Sequence, residues 1–225
     1  MKNNCPYAEI CGLEFEYSRY YKPEEFFIGK PNSRIWVIGT NPRGNPSRNN
    51  SETETKEMFV NFKKDDGYFK RMKSVSKTLY NLLGEDYGAG HTDIVRCFSE
   101  GYTVAKMKFK DANVKSLANI EKQCSNHLVE QLNSEELSFP EMIYCHGIPA
   151  SMAIRKLVKF PPEYKNYPID TITSYIGTYK RNNGEIRIIK IVFSGMLHQM
   201  DRFSKARLGL EIDNFLKDLG YDILN

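Results

Sequence analysis

The sequence predicts an α/β fold: a three-layer α/β/α sandwich built on a mainly parallel central sheet. Three observations predict it. The stretch Arg34-Ile35-Trp36-Val37-Ile38-Gly39 is a short run of β-branched and aromatic residues that stops at Thr40-Asn41-Pro42, the pattern of a fully buried strand meeting a turn. Two more short apolar runs, 91–97 and 141–145, alternate with amphipathic helical segments, and strands separated by helices pair in parallel. Two β-rich runs, 171–179 and 185–193, are joined through Asn182-Asn183-Gly184, a strong hairpin signal.

Taken in order, residues 1–33 are a lead-in. Cys5-Pro6 and Cys11-Gly12 suit a tight turn that presents thiolates, and the aromatic-rich stretch 15–27 has no clear period and is expected to pack on the sheet. Pro31-Asn32-Ser33 punctuates before the first core strand. After that strand Pro42 fixes φ, and Gly44 lets backbone N–H groups come close to a ligand. The polar stretch 47–57 reads as a loop over the site. Helical spacing over 68–83 puts Phe69, Met72, Val75, Leu79, Leu82 and Leu83 on one face, and Gly84 stops it. A Gly88-Ala89-Gly90 turn precedes the strand 91–97, and a basic, irregular insertion follows at 102–115.

A second amphipathic helix, 116–132, lines up Leu117, Ile120, Cys124, Leu128 and Leu132. The strand 141–145 runs into His146-Gly147-Ile148-Pro149, and 150–158 is a short helix. After the hairpin come a loop, 194–201, and a last helix, 202–219. Strand ends at Gly39, Cys97, His146 and Ser194 then gather along one rim. Open α/β sheets bind ligands at the carboxyl ends of their strands, so that rim is the expected active site.

A chain of 225 residues is read as one domain, 1–225, with a sizeable core. Its net charge of +4 permits a nucleic-acid partner without requiring one, because a polyanion binder needs its charge clustered on one face. There is no apolar run long enough for a membrane helix and no apolar signal-peptide core. A cytoplasmic, monomeric protein is expected. Five cysteines in a reducing compartment argue against a disulfide framework and leave metal binding or core packing. Cys145, inside a strand, reads as a core thiol.

Four features stand in a telling order. They are Gly39-Thr40-Asn41-Pro42 after the first strand; Asp93-Ile94-Val95-Arg96-Cys97 on the second; Cys124 on a helix leading to Ile143-Tyr144-Cys145-His146-Gly147; and the segment from Ser194 to Arg207 with His198. This order resembles the uracil-DNA glycosylase superfamily over most of the chain. Each motif is short, and their order and spacing carry the resemblance. The cysteines look like the iron–sulfur branch, in which two N-terminal Cys, one at the end of the second core strand and one on the next helix, hold a [4Fe–4S] cluster. Cys5, Cys11, Cys97 and Cys124 match those places, although the C-x5-C spacing is wider than the family's and the gap from Cys97 to Cys124 is longer. A structural zinc is the alternative ligand for four thiolates, and plain core packing is the third reading. The first motif resembles instead the mismatch-specific and single-strand-selective glycosylases, whose Gly-x-Asn-Pro-Gly places an Asn on the attacking water. Asn41 falls there, with Arg43 inserted before Gly44.

The resemblance implies a DNA glycosylase-like hydrolase that cleaves the N-glycosidic bond of a damaged or deaminated base in DNA repair. The base leaves the stack and enters a pocket. Thr40, Phe69 and Asp93 are the base-binding residues this implies. Phe69 matches the family's stacking ring, with Tyr68 the alternative and core packing the structural reading. His198 matches the histidine that stabilises the departing base anion, although Gln199-Met200 replaces the family's Pro-Ser. Asp93 stands where the iron–sulfur branch has Asn. An ionised Asp only accepts, so it keeps a contact to a ring N–H and repels a carbonyl, which makes uracil a poor substrate. Asp93 capping a turn, or pairing with Arg96, is the other reading. Arg43, Gly44, Ser194, Met196, Leu197, Arg202 and Lys205 are the expected DNA contacts, with Met196 or Leu197 as an apolar wedge. Arg48, Lys106, Lys108, Lys110 and Arg207 are further candidates for phosphates.

Two other readings compete. A catalytically weak protein of the same fold would bind nucleic acid or a modified nucleotide without cleaving it. An α/β small-molecule enzyme with a structural metal would bind no DNA. Salt-dependent DNA binding separates the last from the others, and base release separates the first from the second.

Overall fold

Five strands make one sheet: β1 Ile35–Gly39, β2 Ala89–Asp93, β3 Met142–His146, β4 Ser174–Lys180 and β5 Ile186–Ser194. Their order is β2-β1-β3-β5-β4, with β4 antiparallel to β5 and every other pair parallel. The computed structural model describes residues 5–7, 25–40, 53, 67–97, 117–162 and 172–224, with side chains of the 117–133 helix from 122 onward. Cys11, Asn41, Arg43, Gly44, Arg48 and the basic insertion at 102–115 lie outside the described residues.

β1, β2 and β3 are buried at every position, as parallel strands covered on both faces must be. Alternation then sorts side chains into two cores. Trp36, Ile38, Ile143 and Cys145 pack with Phe27, Cys124, Leu128 and Ile154. Ile35, Val37, Tyr144 and Val192 pack with Met72, Leu79, Leu208 and Ile212. The helices follow suit. α1 Gly67–Lys70 and α2 Lys77–Leu82, separated by a 3-10 turn Arg71–Ser74, cover the second core together with α5 Arg202–Asp218. α3 Leu117–Asn133 and α4 Ile148–Leu157 cover the first. This is the α/β/α sandwich expected from the sequence. Among the described residues no helix is long and apolar enough to cross a membrane.

The helical face expected over 68–83 is present, but the helix is broken. Ser76 caps α2, its hydroxyl accepting from the Leu79 N–H at 2.9 Å, and donates to Asp213 on α5 at 2.5 Å. The second strand also differs. It runs over Ala89–Asp93 rather than 91–97, and Gly39–Asp93 is the last pair of its ladder. Of the two glycines that read as a turn, Gly90 is a strand residue and Gly88 is a bend just before the strand. Gly90 is there because the Phe27 ring occupies the space of its side chain. Cys97 therefore lies four residues beyond the strand, and Asp93 takes its place on the rim. Of the lead-in, Phe26 and Phe27 are buried, and Ile28 pairs with His91 along the outer edge of β2.

Candidate functional site

The chain leaves β1 towards β2 on one side and then crosses back to β3 on the other. Connections departing to opposite faces open a crevice at the carboxyl ends of β1 and β3. The ladders put four residues at one level along that rim. Asp93 is opposite Gly39, His146 is opposite Ser194, and Gly39 and His146 each follow directly on the Ile38–Cys145 pair. All four belong to the face that α1, α2 and α5 cover. The row therefore reads Asp93, Gly39, His146, Ser194.

Gly39 makes the row possible. A side chain there would overlap Asp93 Oδ1 and come within 2.9 Å of the Tyr68 hydroxyl and 3.0 Å of His91 Cε1. Three chemically capable groups thus converge above a backbone with no side chain. Asp93 Oδ2 is 3.3 Å from His91 Nε2, and both residues are almost fully buried. With Nε2 donating to that carboxylate, neutral His91 has its lone pair on Nδ1, which is buried and meets no hydrogen-bond partner among the described residues. Only Oδ1 of Asp93 then faces the space over Gly39.

Tyr68, at the start of α1, stands in the middle of the rim. Its ring lies 5.2 Å from that of His91 and 4.9 Å from that of His146. Phe69 is buried in the core and meets His91 edge-on at 5.2 Å. Of the two rings proposed to stack on a base, the alternative, Tyr68, borders the crevice. Thr40 is buried, and its hydroxyl lies 3.3 Å from where a Gly147 side chain would begin. Gly147 itself has φ of +106°, which lets the chain turn sharply from β3 into α4.

His146 is held by the turn after β5. The Leu197 N–H donates to its Nε2 at 3.3 Å. Next to it, the Tyr144 hydroxyl and Ser194 Oγ are 2.9 Å apart, and Ser194 Oγ also reaches the carbonyls of Gly195 and Cys145 at 2.9 and 3.3 Å. Carbonyls only accept, so Ser194 donates to one of them and Tyr144 donates to Ser194. Burial pushes the Tyr144 hydroxyl well above its ordinary pKa, more than the Ser194 hydrogen bond lowers it, so it stays protonated.

The remaining residues of the last motif are spread out. Leu197 is in the core, while Met196 is half-buried with its Cε 3.3 Å from the Gly147 side-chain position. Of the two apolar wedges, Met196 is the accessible one. His198, in the 3-10 turn Leu197–Gln199, is exposed. Arg202 is exposed over the Phe203 ring at the start of α5, and Lys205 is half-buried one turn on. Asp201 caps this helix, accepting from the Phe203 and Ser204 N–H groups.

On the opposite face the cysteines divide. Cys5, Cys97 and Cys124 are buried, and Cys5 Sγ lies 3.8 Å from His127 Nε2, one turn after Cys124 on α3. Among the described residues no three Cys, His, Asp or Glu side chains come together as a ligand set. Arg96 does not pair with Asp93. It is buried on the α3 side, donating to Thr92 Oγ1 and to Gln131 Oε1 at 2.6 Å. Strand alternation sends Thr92 to one face and Asp93 to the other. Cys145 is fully buried, and its thiol pKa is pushed up by that burial.

Sequence reasoning placed His146 on the rim without giving it a chemical role, and it did not single out His91 or Tyr144. His91 and Asp93 are two apart on one strand, and so are Tyr144 and His146, a spacing that puts each pair on one face. That signal was readable once the strand limits were known. No family model matches the chain, and no curated protein matches it.

Proposed function

We propose that the chain is a DNA glycosylase-like hydrolase that cleaves the N-glycosidic bond of a damaged or deaminated base, with the crevice over Gly39 as its base pocket. The observation that carries this reading is the row Asp93, Gly39, His146, Ser194 capped by Tyr68. A flat heterocycle needs an aromatic neighbour, an acceptor for its N–H groups and a donor for the charge it carries away. Tyr68, Asp93 Oδ1 and a histidine supply these at one place. Asn41 keeps the water-positioning role that the resemblance implies. DNA is the partner, engaged through Met196, Arg202 and Lys205 around the rim, and the protein acts as a cytoplasmic monomer.

A [4Fe–4S] cluster on Cys5, Cys11, Cys97 and Cys124 belongs to the same proposal, with zinc as its alternative. It is supported by three buried thiols, one of which, Cys5, lies 3.8 Å from His127 Nε2. An iron and sulfide assay on anaerobically purified protein decides it. About four irons per chain are expected for such a cluster, and a metal-free, colourless protein removes it.

The test of function is single-turnover release of free base from single- and double-stranded oligonucleotides carrying uracil, hypoxanthine or xanthine. Release of at least one base is expected, with uracil the slowest. Tight, salt-dependent binding with no release from any of them would overturn the enzymatic reading. It would favour the second reading, a nucleic-acid or modified-nucleotide binding protein of the same fold. The exposure of His198 is the observation that speaks for that alternative.

A further inference from the structure

We infer that His146 is the catalytic histidine of this pocket, donating from Nδ1–H to the departing base. The inference rests on the glycosylase reading and gives the histidine role to a residue other than His198, which the resemblance implies. Two independent observations carry it. The first is position. His146 is 3% exposed, sits in the row beside Gly39 and Asp93, and its ring meets Tyr68 at 4.9 Å. His198 is exposed on the turn beyond.

The second observation is the tautomer. A backbone N–H can only donate, so the Leu197 amide requires a lone pair on Nε2. The proton of the neutral ring then sits on Nδ1. A histidine fixed in this way is a preorganised neutral donor, the kind of group that stabilises charge developing on a leaving group. The amide that fixes it belongs to the turn that also carries Met196. DNA pressing on Met196 would therefore bear on the same turn that sets the histidine.

The chemistry balances without a further reactant. The C1′–N bond breaks and its electron pair moves to the base. Water supplies the oxygen that bonds to C1′. The proton that this water sheds ends on the released base. His146 lends a hydrogen bond to the base while it is anionic and keeps its own proton.

The test is a histidine-selective 15N spectrum of the full chain, which has four histidines. It is recorded free and then with an abasic-site oligonucleotide plus free hypoxanthine or uracil. The expected result is an Nδ1–H tautomer at His146 in the free protein and movement of its signals on addition of the probe. An Nε2–H tautomer at His146, or movement at His198 without movement at His146, overturns the inference. On any base the native enzyme releases, His146→Gln should slow single-turnover release by about 100-fold, the scale of removing one preorganised donor. A larger loss for His198→Ala than for His146→Gln also overturns it. If no base is released but the His146 signals move as expected, the glycosylase reading fails and His146 still stands as the ligand-facing donor.

Discussion

Asp93 reaches the crevice only because its neighbour on β1 has no side chain. A methyl group at Gly39 would overlap Asp93 Oδ1 and crowd Tyr68 and His91. Those groups are packed and cannot all move aside, so Gly39→Ala should cost about 1–3 kcal/mol of stability, the usual range for overpacking. Urea unfolding measures that cost, and base release should fall further than stability alone explains. A variant as stable and as active as native would show that Asp93 is not confined there. If the crevice takes a base as proposed, Asp93 also decides which base is accepted. His91 holds Oδ2, so a ligand meets the single acceptor Oδ1. A carbonyl facing that oxygen is repelled, whereas an N–H is bound. Asp93→Asn supplies a donor in the same volume. It should speed uracil release by about 5- to 150-fold, from the roughly 1–3 kcal/mol attached to an unsatisfied buried polar group. No gain on uracil would remove Asp93 from the base-reading role.

At the scale of elements, the break between α1 and α2 joins the site to the last helix. Gly209 of α5 lies so close to the Val75 carbonyl that a side chain there would overlap it. At the next residue Ser76 both caps α2 and donates to Asp213. Asp213 pays for that contact by being partly buried: desolvation raises its pKa above 3.8, and the Ser76 hydrogen bond only partly opposes the rise. An acid whose folded pKa is raised binds its proton more tightly in the folded state. Its stabilising effect is therefore present in acid and is lost as pH rises from 3.8 through the folded value. Asp213→Asn keeps an acceptor for Ser76 and removes the charge. Relative to native, the variant should gain stability at pH 7 compared with pH 4 in denaturant unfolding. A gain at pH 4 compared with pH 7 would reverse the sign and refute the account. This junction was hidden in the sequence. The apolar spacing of Phe69, Met72 and Leu79 continues unbroken through Ser76, and nothing local announces that Asp213 or Gly209 will meet it.

Over the whole molecule, what was legible followed from period and punctuation. The buried run at β1, the hairpin at Asn182-Asn183-Gly184 and the amphipathic faces of α3 and α5 needed no knowledge of partners. The rim was legible as a consequence of the parallel order. Its membership was less so, because β2 ends four residues earlier than expected and so puts Asp93 rather than Cys97 on the rim, and because His146 was placed there without a chemical role. Gly90 misled for a physical reason: it makes room for Phe27 rather than a turn. The same topology sends the start of α5 to the carboxyl side of the sheet, since α5 follows the end of β5 through one short turn. Arg202 and Lys205 therefore stand beside the crevice rather than on a remote surface. If they contact phosphates, each neutralised phosphate releases counterions, and the slope of log affinity against log salt records their number. Replacing both by Ala should weaken DNA binding at low salt and reduce the magnitude of that slope by about two. Fluorescence anisotropy with a short oligonucleotide at several salt concentrations gives both quantities. An unchanged slope would mean that nucleic acid does not approach the crevice from the α5 side, and the rim would have to be read as a small-molecule site.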